Sequence, residues 1–259
     1  YDAANNSNTV GNIRLITELD GTTVTFGYDD LYRLTSETRV GEKPYSREYG
    51  YDLAGNLLTL SGNSAVIQFG TYDSANKFSS VPGGGATYDG DGNLTHIAGT
   101  NILLDQYVET PSGNTYVIPA SLFTWDDQSN LTKQTIRNYP IEYGYNYRGQ
   151  RVWNKEANHP RRYYVFDGDQ LIGEVQKLLG EEGLFVPSVA YTWGADGLAS
   201  ERLLEEPESL YYHFGPQGET RYLTGATGSI ANTYVYNAYG KVMASTGTKG
   251  NKHLYGGKV

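Results

Sequence analysis

Apolar and polar positions alternate in short runs along most of the chain. In TTVTFGYD (22–29) and EYGYNY (142–147) the period is two, the pattern of a strand with one buried face. Each run ends in a cluster of Asp, Asn and Gly, where Gly accepts positive φ and the Asx side chains bond to nearby backbone, so the chain turns. A second short apolar run follows, as in NLLTL, NLTHI, QRVWNK and KVMAS. The predicted unit is a β-hairpin. Helical periodicity is weak. QKLLGEEGLF (176–185) and ERLLEEPESL (201–210) are broken by Gly180, Gly183 and Pro207, and both are read as loops.

The hairpin recurs with a motif at its turn: an aromatic, usually Asp, a few turn-forming residues, then an apolar one. Tyr28-Asp29 leads to Leu34, Tyr51-Asp52 to Gly55-Asn56-Leu57, and Tyr72-Asp73 to Phe78. Tyr88-Asp89 leads to Gly92-Asn93-Leu94, Trp125-Asp126 to Leu131, and Tyr145-Asn146 to Gly149. Later copies drift, in YYVFDGDQLIGE from Tyr163, YTWGADGLASE from Tyr191, and VYNAYGKVMAS, which carries Tyr236 and Gly240. Copies stand roughly 16 to 37 residues apart, a spacing that suits stacked supersecondary units with loop insertions. A lone hairpin cannot bury its apolar face. The expectation is therefore an all-β fold of consecutive hairpins paired edge to edge in a spiralling antiparallel sheet, with little helix. The motif Tyr rings are expected to lie across the neighbouring hairpin, mostly buried, each hydroxyl on a polar partner.

Composition supports this. There are 24 Tyr and 32 Gly in 259 residues, so the core is expected to be built of rings and the backbone to turn often. The length suits a single all-β unit, and one unit is expected. The chain has no Cys, which excludes disulfides, thiol catalysis and thiolate metal sites. A net charge of −9 argues against a nucleic-acid partner, which needs clustered Lys and Arg. No apolar run approaches the roughly 18 residues of a membrane helix, so this segment is not expected to insert into a membrane. YDAANNSNTV has no signal-peptide pattern, and without an initiating Met the sequence reads as a piece of something longer.

YDDLYRL, YDLAGNL, YDGDGNL and WDDQSNL resemble the YD repeats of the Rhs family, found in the shells of bacterial polymorphic toxins, insecticidal toxin complexes and animal teneurins. The resemblance covers essentially the whole chain. The stretch from Tyr211 to LYGGKV is similar to the lead-in to the Rhs-associated core, which divides the chain into a repeat array over 1–210 and last repeats over 211–259. The resemblance implies a secreted or cell-surface protein whose hairpins form a hollow shell around a C-terminal toxin, or a rigid adhesion scaffold. It implies a following core with an aspartyl autoprotease motif, before which this sequence stops. The implied partners are the rest of the longer chain or neighbouring copies, an encapsulated toxin, or a surface glycan. Asn146 and Asn237 stand where the family usually has Asp, and Phe214-Gly215-Pro216 replaces a more acidic turn; both departures favour turn-making over chemistry.

The search for chemistry adds little. Asp89-Gly90-Asp91-Gly92-Asn93 begins like a calcium loop, but Leu94 stands where Gly is needed and Thr100 where a bidentate Glu is needed. His96, His159, His213 and His253 are dispersed, and no G-x-S-x-G, Walker A or G-x-G-x-x-G fingerprint occurs. Carboxylates are plentiful, but nothing selects an acid–base pair; Glu181-Glu182 and Glu205-Glu206 read as solvated loop faces. Trp125, Trp153 and Trp193 offer stacking platforms for sugars, or stand in for Tyr in the core. No cofactor, metal or enzymatic activity is expected of this segment. Its expected role is structural, with surface adhesion or carbohydrate binding as the alternative, using the irregular stretches 101–121 and 176–208.

Overall fold

The computed structural model describes residues 11–18, 20–62, 65–81, 83–100, 117–177, 184–195, 197–205 and 208–255. Among these the structure is strands and turns, with no helix. The expected all-β class holds: both sheets are antiparallel, and within each sheet the strands are neighbours in chain order. The first sheet runs β1 (Leu15–Thr17), β2 (Thr23–Tyr28), β3 (Leu34–Val40), β4 (Tyr45–Tyr51), β5 (Leu57–Gly62) and β6 (Ala65–Gln68). The second begins β7 (Thr71–Tyr72), β8 (Phe78–Val81), β9 (Gly84–Tyr88), β10 (Leu94–Thr100) and β11 (Val117–Trp125). It continues β12 (Leu131–Ile136), β13 (Tyr139–Tyr145), β14 (Arg151–Glu156), β15 (Arg162–Asp167), β16 (Gln170–Lys177) and β17 (Phe185–Gly194). It ends β18 (Gly197–Leu203), β19 (Glu208–Phe214), β20 (Thr220–Thr224), β21 (Ile230–Tyr236) and β22 (Val242–Thr246).

The chain forms two compact units, Tyr1–Leu122 and Phe123–Val259, rather than the single unit expected from its length. In the second unit Leu210 and Leu223 have no exposed surface, and the rings of Tyr164, Tyr191, Tyr212 and Tyr234 pack with them. The first unit has a smaller core of Tyr49 and Leu60, flanked by Leu34, Tyr51, Leu57 and Phe69.

Burial of the motif rings differs from expectation. Tyr28, Tyr51, Tyr72, Tyr88, Trp125 and Tyr145 are half-buried, and Tyr236 alone of the motif set is buried. The deeper rings stand two positions earlier: Tyr49, Tyr164, Tyr191, Tyr212 and Tyr234. The reason is strand geometry. Two residues along a strand return to the same face about 6.6 Å further from the turn, so the earlier ring sits over mid-strand while the motif ring caps the strand end.

The two stretches read as loops are corrected where they are described. Gln176 and Lys177 end β16, Phe185 opens β17, Glu201–Leu203 close β18, and Glu208–Leu210 open β19. In these strands buried residues such as Glu201 and Leu210 have exposed neighbours in Arg202 and Tyr211, and that alternation outweighs the helix-forming composition. The breakers Gly180, Gly183 and Pro207 lie outside the described residues, as does most of 101–121.

Candidate functional site

Seven of the predicted motif copies take the same place. Tyr28, Tyr51, Tyr72, Tyr88, Trp125, Tyr145 and Tyr236 are the last residues of β2, β4, β7, β9, β11, β13 and β21. The residue after each begins a tight turn. In the copy at Asp52, its N–H donates to the Asn56 carbonyl and its own carbonyl accepts from Gly55 N–H. The fourth turn residue is left-handed, at φ 91° in Gly55, 87° in Gly92, 74° in Gly149 and 79° in Gly240. This is a type I turn closed by a left-handed residue, and the ladder shifts register at the motif aromatic, for instance between Gly50 and Tyr51. Tyr32, Asn76 and Ser129 take this position in other copies, at φ 62°, 58° and 59°. A Cβ there is strained by roughly 1–2 kcal/mol. Tyr32→Gly is expected to recover part of this, raising stability by about 0.5 kcal/mol after glycine's extra unfolded freedom is deducted. A lower midpoint in urea unfolding would show that the Tyr32 ring contributes more than its backbone costs.

The motif carboxylates are consumed by these turns. Asp73 Oδ1 accepts the N–H groups of Ala75 and Lys77 at 2.8 and 3.0 Å, and Asp89 Oδ1 those of Asp91 and Asn93 at 3.1 and 2.8 Å. Asp126 does the same with Gln128 and Asn130 at 2.9 Å each, and Asp29 with Leu31 and Arg33 at 3.0 and 2.9 Å. Asp52 is held by both the backbone and the side-chain amide of Asn56, at 2.8 and 2.9 Å. Donors stabilise the ionised form: the Asn56 amide holds Asp52 below the usual carboxylate range, and the Lys77 and Asn130 N–H groups do so for Asp73 and Asp126. Asn146 and Asn237 accept the same pair of N–H groups through Oδ1, so the loss of charge leaves the turn intact.

Successive copies are bolted together. The Tyr51 hydroxyl donates to Leu34 O at 2.8 Å, Tyr72 to Leu57 O at 3.1 Å, and Tyr145 to Leu131 O at 3.0 Å. In each case the acceptor is the apolar residue that closes the preceding turn. Trp193 does the same with its indole N–H, donating to Leu171 O at 2.7 Å. The last turn residue reaches forward as well. Arg33 Nη1 donates to Asp52 O at 2.7 Å, and Gln150 Nε2 to Gly168 O at 2.8 Å.

A second layer was not singled out from the sequence. Glu37, Glu174 and Glu201 are 1%, 1% and 3% exposed. Each lies three residues after a closing apolar residue, in LTSE, LIGE and LASE, and accepts from a core Tyr of the next hairpin. Tyr49 and Tyr45 donate to Glu37 at 2.9 and 2.5 Å, Tyr191 to Glu174 at 2.7 Å, and Tyr212 to Glu201 at 2.9 Å. Burial first, then the charge of the adjacent Glu, pushes the Tyr191 and Tyr212 phenols up, which fixes them as donors. The signal, L-x-x-E followed by Y-x-aromatic, was present and repeated.

The segment 247–255 leaves β22 and lies against β16 to β21 as a strap. Asn232 bonds Lys249 in both directions, at 2.7 and 3.2 Å, and Thr220 N–H donates to Leu254 O at 2.7 Å. Lys252 Nζ pairs with Glu174, which Arg162 Nε also approaches at 3.4 Å. The His253 ring is edge-on to Tyr191 and Tyr212, with centroids 4.9 and 5.9 Å away. Glu201 Oε1 is buried with no hydrogen-bond partner among the described residues. Burial raises the Glu201 carboxyl above its ordinary 4.5. The folded state therefore holds this proton more tightly than the unfolded one, and the wild-type chain loses stability as pH rises from 4.5 through the raised value. Glu201→Gln keeps an acceptor for Tyr212 without the charge, so at pH 7 it is expected to stabilise by about 1 kcal/mol and to flatten that slope. Urea midpoints at pH 4 and pH 7 measure both.

Among the described residues no group of His, Asp and Glu side chains could hold a metal ion; at Asp89, Oδ1 accepts backbone N–H groups and Oδ2 the Asn93 side-chain amide. The buried carboxylates of Glu37, Glu174 and Glu201 accept from tyrosine hydroxyls, and that of Glu219 from Gln217 N–H and Arg221.

No family model matches the chain. It is 26% identical over 240 residues to the tRNA nuclease WapA of Bacillus subtilis, and 26% identical over 240 residues to the tRNA3(Ser)-specific nuclease WapA of Bacillus spizizenii. Each match covers 89% of this chain and 9% of the relative, so the chain spans less than a tenth of the length of the curated proteins it matches. Among solved structures, TcdB2-TccC3 matches 96% of this chain and 19% of that chain, at 12% identity and a TM-score of 0.29. The Photorhabdus luminescens Tc holotoxin pore matches 87% and 15%, at 14% identity and a TM-score of 0.30.

Proposed function

We propose that this chain is a structural shell segment of a secreted or cell-surface protein of the Rhs/YD-repeat class, whose work is to enclose or present an effector located elsewhere in a longer polypeptide. The observation that carries this reading is the interlock. At Tyr51, Tyr72, Tyr145 and Trp193 a hydroxyl or indole N–H joins a hairpin to the closing residue of its predecessor, and the motif carboxylates are spent on turns. Such a wall has mechanical coherence and, among the described residues, no motif carboxylate left free of its turn. The nuclease activity named in the WapA proteins would then belong to the 91% of their length that this chain does not match, which leaves this segment non-enzymatic.

Within the segment, 1–210 is the repeat array and 211–259 the lead-in to an Rhs-associated core. After β22 ends at Thr246, the described residues 247–255 lie back over strands already laid down, a change of course within the proposed lead-in. Adhesion is the second reading, and a pocket in the second unit favours it.

The test has two arms. The 259-residue chain incubated with total tRNA is expected to leave it intact. The native polypeptide, carrying the sequence that flanks this segment, is expected to yield a thermolysin-resistant core containing both shell and effector. Cleavage of tRNA by the segment alone, or rapid digestion of the effector from an intact shell, would sink the reading.

A further inference from the structure

Two neighbouring hairpins break the repeat's spacing. From motif aromatic to closing residue takes six positions in Tyr51 to Leu57 and in Trp125 to Leu131, but five from Phe166 to Leu171 and from Trp193 to Leu198. In the first of these Asp167 pairs with Gln170, so the motif turn is cut to the two residues Gly168 and Asp169. A third departure lies on the hairpin before them. The closing position, Leu in those copies, is Arg151.

The three departures meet at one pocket of about 470 Å³, walled by Tyr145, Arg151, Tyr164, Phe166, Asp169 and Trp193. That volume is in the range of small-ligand sites, and the combination of ring walls with few polar groups is their usual chemistry. The Arg151 guanidinium lies 5.5 and 5.4 Å from the ring centroids of Tyr143 and Tyr164, and no acceptor among the described residues bonds its N–H groups. A half-buried guanidinium on ring faces, with its donor fork unspent, is built for a planar anion. The same lining also carries an acid, the exposed Asp169. Asp169 receives the Gln150 amide at 3.3 Å on one oxygen, and no bond among the described residues occupies the other. The Trp193 indole N–H is committed to Leu171 O, so that residue offers its ring.

We propose that this pocket binds a sugar ring bearing a carboxylate, a hexuronic acid unit, with Arg151 on the carboxylate, the aromatic walls on the C–H face, and Asp169 accepting from ring hydroxyls. A phosphate would bring more negative charge to Asp169, and an aromatic acid would leave that carboxylate without a donor; a polyhydroxylated monoanion satisfies both Arg151 and Asp169. The proposal goes beyond the shell reading, because a wall that only encloses has no need of an arginine in its apolar row.

The experiment is calorimetry and saturation-transfer NMR on the 259-residue chain with methyl glucuronide, its carboxyl methyl ester and methyl glucoside. Saturable binding of the acid is expected, with the ester and the neutral sugar at least about tenfold weaker, as loss of a charge-assisted bidentate pair requires. Arg151→Leu restores the repeat residue, so it is expected to keep or raise the melting temperature while weakening acid binding by about tenfold or more. Arg151→Gln gives the same readout with a polar side chain. Absence of saturable acid binding, equal binding of ester and acid, or unchanged affinity in either folded variant would overturn the assignment, and the ester comparison needs no variant to fold.

Discussion

Alanine in place of Glu174 is expected to lower the unfolding free energy by about 3 kcal/mol. Glu174 is 1% exposed and sits where the Tyr191 hydroxyl, donating at 2.7 Å, meets two cations, Lys252 and Arg162. Removing it leaves a buried hydroxyl unsatisfied, at a cost of about 1–3 kcal/mol, and two cations without a counter-charge. The Lys252 and Arg162 side chains keep 37% and 30% of their surface exposed, so water relieves part of that repulsion and the loss stays at the lower end of the range for a broken buried pair. Lys252→Ala, cut at the exposed partner, is expected to cost about 1 kcal/mol. Equilibrium urea unfolding of the two variants gives the ratio. Equal losses would mean that Glu174 serves the strap alone and that its bond to Tyr191 contributes nothing.

The second large effect concerns a turn that swaps its acid. At Phe214-Gly215-Pro216 the motif Asp is replaced by Gly215, yet the turn keeps its form: Gly215 N–H donates to Glu219 O, and Gly218 N–H to Gly215 O. A Cβ on Gly215 would lie 2.0 Å from Glu219 Oε1, so the carboxylate of the fifth turn residue fills the space of the missing first one. Glu219 also takes over its bond, accepting the Gln217 N–H at 2.9 Å. Restoring the motif acid alone, as Gly215→Asp, forces two carboxylates into one space that is 4% exposed at Glu219, and is expected to cost about 3 kcal/mol. The double variant Gly215→Asp/Glu219→Asn recreates the Asp52–Asn56 arrangement and is expected to recover most of that loss, giving a coupling energy of about 2 kcal/mol in a double-mutant cycle. Additive losses would refute the exchange and leave Glu219 as the partner of Arg221 only, a pair that stands at 2.9 Å.

The sequence was informative where local chemistry decides the outcome. The alternation in TTVTFGYD is β2, and the turn residues at Asp52, Asp89 and Asp126 mark the hairpin reversals, because both signals act within a few residues. Drifted copies were legible too: Trp193 takes the Tyr position together with its hydrogen bond. What escaped depended on distant partners. Glu201 read as part of a polar, helix-like loop, since nothing in ERLLEEPESL shows that Tyr212 will cover it. His253 read as a dispersed histidine because the strap brings it to Tyr191 and Tyr212 across stretches of intervening chain. Arg151, in QRVWNK, breaks the apolar row only when the copies are aligned on their turns, a signal that no single stretch carries.

Sheets in which each strand hydrogen-bonds its neighbour in the sequence have a consequence for how they are made. Ribosome or export channel delivers the chain from its amino end, and every new ribbon finds the previous one already in place, so synthesis order can serve as assembly order. The strap is the exception. Lys252 reaches back 78 residues to Glu174, a closure that must wait until the ribbons between them have formed. The end of the segment is therefore its latch, and a ribosome stalled shortly before Lys252 would carry a laid but unfastened sheet.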